Sequence, residues 1–457
     1  MSQDAKLTRG SIRHHLVAQT APMLLGIASI MSVGIIDAYF VGQLGPDPLA
    51  AISFIFPITV VLSSLGVGVL VGINSVVSRA LGSGERKIAE RRAVQGVALA
   101  LGFGLIVGAA LFVVEGPLFR LMGAAEELRP LISDYMRPYA LGLPLLLVSM
   151  GANATLRAQG AASRSAIILG TMAAANWVLD PLLIAGWGPF PSFGIAGAAY
   201  ASVGSFALAM LVGLWLSARS DLGLHPDRLR EGDWGPGVHS LGKVGGPAAL
   251  SNSINPVGLA VLTAMLSSYG NDAVAAFGVA GRLQSLAVVP LLAMSSSIGG
   301  IVGQNWGAGL PDRARLALHE ASLFSVGYGV AIAALLVAFR QEAASVFTND
   351  PGVIDQISTY LSIAAWGFCG YGALIVTNGA LNAIDRAPTA TMVSALRVLG
   401  IMIPVAWVGA RLADASGVFA GELAANLAGG GIAYLIGLRA LKEERCPYGK
   451  RDPVPAE

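Results

Sequence analysis

Twelve apolar stretches divide this chain, each long enough to cross the roughly 30 Å hydrocarbon layer of a bilayer as a helix. They lie near residues 16–42, 49–77, 92–114, 131–157, 164–187, 194–217, 241–268, 274–304, 316–339, 355–382, 389–411 and 417–439. In lipid the backbone must satisfy its own N–H and C=O groups, which leaves helices or a closed barrel. Barrel strands alternate in character over about ten residues. These runs are apolar throughout, so an all-α membrane protein of twelve transmembrane helices is expected. Composition agrees: 12% of residues are charged, against about a quarter in a soluble domain. The start, MSQDAKLTRGSIRHHLVAQTAPMLLG, is basic but has no small-residue cleavage site after a short apolar core. The first run is therefore expected to be a retained helix rather than a signal peptide.

Lys and Arg set the orientation. With the N-terminus inside, the tails and even-numbered loops hold 22 of them, the opposite side 6, and Arg397 falls within a span. The positive-inside rule then puts both termini in the cytoplasm, with the plasma membrane (a bacterial inner membrane) as the expected location. The longest interior polar stretch is RSDLGLHPDRLREGDWGPGVHSLGK. It yields the expected organisation: an N-lobe over 1–218, a linker over 219–240, a C-lobe over 241–440 and a cytoplasmic tail over 441–457.

The two halves align at a constant offset of 225 residues. Gly45 falls on Gly270, Asp47 on Asp272, Ala50-Ala51 on Ala275-Ala276, Asn153 on Asn378, Leu156 on Leu381 and Pro22 on Pro247. Six helices is an even number, so both repeats insert the same way. They are expected to be pseudo-symmetric lobes related by an axis along the membrane normal, with the substrate path between them.

Where the repeats differ is in their carboxylates. Asp37 and Asp180 face Leu262 and Val405 across the repeat. An aspartate at a helix centre costs about 2.5–3.5 kcal/mol to insert. At about 1.5 Å per residue, Asp37 lies about 32 Å above the start of its helix and Asp180 about 29 Å above the start of its own. The two can share a pocket in the outer leaflet half. Asn176 is four residues before Asp180 and hence on the same face, and Ser202 comes to a similar level. Two carboxylates, an amide and a hydroxyl form a hard, oxygen-rich site suited to a proton or to Na⁺. The bland reading is a protonated aspartate that only bonds a neighbouring helix. Asn153, with Tyr139 and Trp177, is assigned either to a substrate pocket or to helix contacts.

Other features carry less. Gly66-Val67-Gly68 and Gly102-Phe103-Gly104 lie inside spans and fit close helix packing. The five histidines sit in tails, linker or helix ends, and the two cysteines form no metal-ligand cluster. Arg397 should pair or line water; Glu320 and Glu422 are expected near helix ends, where they can be solvated. No nucleophile with a base, phosphate-cradling loop or basic nucleic-acid surface is visible, so neither an enzyme nor a nucleic-acid partner is expected and no cofactor is implied beyond the coupling ion.

With these residues in place, the chain resembles the multidrug and toxic compound extrusion (MATE) family over roughly 12–440. The resemblance is carried by GIIDAYFVGQLGPDPLAA, NATLRAQG, NWVLDPLLI and VGQNWGAG. It implies two six-helix lobes in a V, alternating access, and antiport of organic cations against Na⁺ or H⁺. The coupling site of archaeal and related bacterial members falls on Asp37, Asn176 and Asp180, with Ser202 where a threonine is common. The helix-1 proline taken to bend on protonation falls on Pro22. A helix-7 carboxylate of another branch is absent from GGPAALSNSINPVG, so coupling is expected in the first lobe alone, with the second supplying mainly an apolar wall.

The expected function is secondary active efflux of cationic or amphiphilic small molecules, by a monomer among membrane lipids. The scarcity of intramembrane cations favours cationic or neutral substrates over anions. The alternative is a lipid-linked precursor flippase of the same superfamily, which would place more basic residues in its cavity. A channel and a membrane-embedded enzyme are weaker rivals.

Overall fold

The computed structural model describes residues 5–188, 191–230, 234–442 and 446. The expected tail lies outside the described residues save for Leu441, Lys442 and Cys446, as do 231–233 of the linker. Among the described residues every regular element is helical. The first half holds α1 (Ile12–Gly42), α2 (Pro46–Gly82), α3 (Arg86–Leu121), α4 (Arg129–Ala158), α5 (Ala162–Leu183) and α6 (Ile195–Ala218). The second begins with α7 (Gly235–Leu266), then α8, which is broken into Asn271–Ala287 and Val289–Gly307. Next come α9 (Pro311–Ala338) and α10, made of Pro351–Ala364 and Phe368–Ala383. The remaining helical run to Ala440 breaks at Ala413 and at Asp414, whose φ is +50°. It therefore counts as α11 (387–412) and α12 (415–440). Twelve crossings result among the described residues, in agreement with the apolar pattern, when the two parts of α8 count as one and the run Ala387–Ala440 as two.

Proline accounts for the main irregularities. The parts of α8 meet at 45° next to Pro290, which lacks an N–H and crowds the carbonyl four residues back. Ahead of Pro404, α11 takes a π-helical course over Leu396–Met402. Elsewhere proline starts helices: Pro46, Pro311 and Pro351 occupy first turns, where no N–H is needed. Asp350 caps α10, its carboxylate accepting from the Gly352 N–H at 2.8 Å.

The sequence repeat reappears in the turns. After α2 the Glu85 N–H bonds the Ala80 carbonyl, and after α8 the Leu310 N–H bonds that of Asn305. After α4 Ala161 bonds back to Leu156, and after α10 Arg386 bonds back to Leu381. Each turn needs one residue in the left-handed region. Gly84 (φ +82°) and Gly309 (φ +70°) serve the first pair, Gly160 (φ +77°) and Asp385 (φ +66°) the second. All of these positions correspond at the 225-residue offset.

The chain forms two compact units. One comprises residues up to Lys6 and Ala21–Ala249; the other comprises Leu7–Thr20 and the chain from Leu250. The division thus falls inside α1 and α7, not within the polar stretch 219–240. Pro22 and Pro247, which correspond in the repeat, lie close to these two points. In the first unit Gln159, from NATLRAQG, accepts from the Leu222 N–H at 3.0 Å and ties down the chain after α6. In the second, Gln304 and Asn305 of VGQNWGAG bond the backbone N–H and C=O of Leu7 at 3.0 and 3.1 Å. Leu7, Ile12 and Leu16 are buried there against Ile298, Ile301 and Trp306.

Candidate functional site

The acidic cluster is built by the C-terminal ends of α1 and α5 in the first unit. Asp180 lies three residues before the end of α5 and is fully buried; Asn176, one turn earlier, is 1% exposed. The seat of α5 against α6 depends on Gly197. A Cβ there would stand 2.2 Å from the Leu183 carbonyl oxygen, so only glycine permits the approach. That contact brings Ser202, five residues further along α6, to the same level.

Asp37 neighbours both Asp180 and Asn176. Tyr135 of α4 lies beside Ser202, Asp37 and Asp180, and Tyr139 beside Asp37 and Ser63. The two tyrosine rings stack, with centroids 5.8 Å apart. Both Asp180 oxygens, both Asn176 amide atoms and one Asp37 oxygen are buried without a hydrogen bond of ordinary geometry. No Lys or Arg pairs with either carboxyl among the described residues. Two carboxyls in one dry site repel when both are ionised. Such a site is matched to a proton or a monovalent cation, held by oxygen donors. Among the described residues no group of three His, Cys, Asp or Glu side chains could hold a softer metal.

The structure thus brings together Asp37, Asn176 and Asp180, with Ser202 reached through Tyr135. It leaves two candidates apart. Asn153 forms a closed exchange with α5: its amide donates to the Ser165 carbonyl at 3.0 Å, and the Ser165 hydroxyl donates to its oxygen at 2.8 Å. Trp177, adjacent to Asn176, points elsewhere and is 41% exposed. Pro22 lies inside α1, followed by Met23, whose sulfur accepts from Ser165 at 3.3 Å. Sequence reasoning missed Tyr135; its one-turn spacing from Tyr139 was the signal available.

The second unit departs from expectation. Instead of an apolar wall it contains a buried polar cluster. Glu422, expected to be solvated, is 2% exposed; it accepts from Gln284 at 3.0 Å and from the Tyr360 hydroxyl at 3.1 Å. A carboxyl this deep in α12 persists because neighbouring donors satisfy it. Arg397 donates to the side-chain oxygens of Asn426, at 2.6 Å, and Asn255. Its guanidinium lies 5.1 Å from the centroid of the Tyr371 ring.

A family model described as MatE matches residues 22–182 and again 247–408. The chain belongs to the MatE family. The two matches begin 225 residues apart, so each MatE segment is one sequence repeat. Over 431 residues, 93% of this chain and 94% of the relative, the chain is 36% identical to the "FAD transporter" of Shewanella oneidensis. It is 29% identical over 421 residues to the "Probable multidrug resistance protein NorM" of Deinococcus radiodurans, covering 87% of this chain and 89% of that one. The crystal structure of the Vibrio cholerae MATE transporter VcmN in the bent form superposes with a TM-score of 0.90 at 27% identity, over 98% of this chain and all of that one. This MatE protein is therefore a transporter with the MATE fold, not an enzyme.

Proposed function

We propose that this MatE protein exports small molecules by antiport against H⁺ or Na⁺, with alternating access, and that Asp37 and Asp180 carry the coupling ion. The observation that supports this most is the adjoining pair of carboxyls, Asp180 buried and Asp37 half-buried, three of whose four oxygens are sealed from water without an ordinary protein partner. When the site opens outward, H⁺ or Na⁺ enters and neutralises it, and the solute leaves. When it opens inward, the ion departs and a new solute binds. Coupling of this kind requires the two ligands to favour different states. Asn176 supplies an amide oxygen to the ion, and Tyr135 and Ser202 place hydroxyls beside the carboxyls. Pro22 gives α1 a point of bending, because the carbonyl one turn earlier lacks its helical donor.

Multidrug relatives support efflux of amphiphilic solutes, whereas the FAD transporter supports a dinucleotide. The test is transport in proteoliposomes under an imposed pH or Na⁺ gradient, with a fluorescent organic cation and with FAD as solutes. Gradient-driven accumulation of at least one is expected, and its loss in Asp37→Asn and Asp180→Asn. Intact gradient-driven transport in both variants would overturn the assignment. Unsaturable flux without a gradient would make the protein a channel.

A further inference from the structure

The cluster around Arg397 is not used by the ion-coupling scheme. Arg397 is 3% exposed and lies ten residues into α11, about 15 Å along it, near the middle of the bilayer. Its first repeat counterpart, at the 225-residue offset, is Met172, so the repeat framework does not require the charge. A buried guanidinium is normally retained by pairing with a carboxylate. Here both terminal nitrogens donate to neutral amide oxygens, and Nε is buried without a partner. No carboxylate stands within 4.0 Å among the described residues. The nearest acid in its field, Glu422, has one oxygen on Gln284 and the other on Tyr360. Amide partners orient the cation but leave its charge unneutralised.

The surroundings are rich in donors. One turn before Arg397, the Ser394 hydroxyl accepts from the Asn378 amide at 2.9 Å and adjoins the Ser251 hydroxyl at 2.8 Å. Asn255 and Tyr371, which cover the guanidinium, are themselves only partly buried, so displacing the Asn255 amide opens a way to it. Arg397 also lies within the π-helical stretch Leu396–Met402 before Pro404, a local geometry frequent at functional sites.

We infer that Arg397, held by Asn255 and Asn426, is the recognition point in the second unit for a phosphate-bearing, water-soluble organic anion. This deepens the export reading and rests on it. It reverses the expectation of cationic substrates, because a guanidinium offers a planar pair of donors matched to phosphate oxygens. It also divides the labour: the acidic site takes the cation, and the basic site takes the anion.

The test uses the full chain in liposomes with radiolabelled FAD, riboflavin and a fluorescent organic cation. Wild type is expected to move FAD saturably, with ADP competing and riboflavin competing poorly, since ADP has the phosphates without the flavin. In Arg397→Gln, FAD transport is expected to fall about tenfold or more, with Arg397→Lys retaining part of it and the organic cation, if carried, moving at its wild-type rate. Competition by riboflavin but not ADP overturns the inference using wild type alone, whatever the variants do. FAD transport within twofold of wild type in a monodisperse Arg397→Gln overturns it as well. Equal loss of both solutes in that variant makes Arg397 a structural strut and is equally fatal. Arg397-dependent movement of a labelled anionic phospholipid in place of FAD assigns the site to lipid instead. Gradient-driven movement of the cation with none of FAD sinks the anion site but leaves export standing; movement of neither solute sinks export itself.

Discussion

The Asp180 carboxyl makes no ordinary hydrogen bond although it is fully buried, and the role assigned to it rests on that isolation. An amide in its place has nearly the same shape but cannot exchange a proton or neutralise Na⁺. Asp180→Asn is therefore expected to fold, to keep passive exchange of solute, and to lose accumulation against a gradient. Paired uptake and counterflow assays on one preparation check this. Asn153 should behave oppositely. Removing it takes the side-chain donor from the Ser165 carbonyl and leaves the Ser165 hydroxyl only the Met23 sulfur, at about 1–3 kcal/mol, so Asn153→Ala should lower the melting temperature while ion coupling survives. The ion pair of Lys6 with Asp221, 2.6 Å apart, lies outside the membrane, and its bond from Lys6 holds the Asp221 carboxyl below its ordinary range. A carboxyl depressed in the folded state stabilises above its unfolded value, about 3.9, and that contribution is lost as pH falls through the folded value. Asp221→Asn should thus matter slightly at neutral pH and not at all in strong acid, as melts at several pH values will read. The aspartates were legible in the sequence because charge in an apolar run stands out. Tyr135 was not, because an aromatic ring there looks like packing until it is seen beside Ser202 and within the field of the two aspartates. Asn153 was ambiguous for a related reason: what an amide does depends on the helix opposite.

Helices in lipid approach closely where side chains are absent, and here such contacts seat the functional elements. α6 meets α5 through Gly197, while α10 and α12 meet through Gly370 and Gly430, where an added Cβ would lie 2.2 Å from the Asn426 and Gly370 carbonyl oxygens respectively. Overpacking typically costs about 1–3 kcal/mol. Gly197→Val should displace α6 and lower both stability and coupling, whereas Gly430→Ala, next to the helix face that carries Asn426, should disturb the Arg397 cluster first. Thermal melts alongside gradient-driven transport separate the two. Helix number and order could be read from length and hydropathy. The break in α8 and the π turn in α11 could not, although Pro290 and Pro404 marked the places. A membrane-embedded proline signals a bend, but its form depends on which neighbour satisfies the freed carbonyl.

At the scale of the molecule, one six-helix plan was copied and then loaded unequally. The turns kept their left-handed residues at matched positions, and the charges did not stay matched: two aspartates went to the first repeat, Arg397 and Glu422 to the second. The carboxylate half of that asymmetry was visible in the sequence. The second half was underestimated because Glu422 was placed by its distance from a helix end, whereas Gln284 and Tyr360 enclose it. An even number of crossings is expected to put both termini on one side, and the positive-inside rule predicts that side to be cytoplasmic. With Cys369→Ser removing the other thiol, an impermeant reagent should reach Cys446 in inside-out vesicles and not in right-side-out ones. The central claim, that Asp37 and Asp180 carry the ion exchanged for solute, is tested most directly by the ion itself. Proteoliposomes loaded with solute should show inward ²²Na⁺ movement or an internal pH change as solute leaves, and Asp37→Asn with Asp180→Asn should abolish it. Ion counterflow that persists in the double variant would contradict the account.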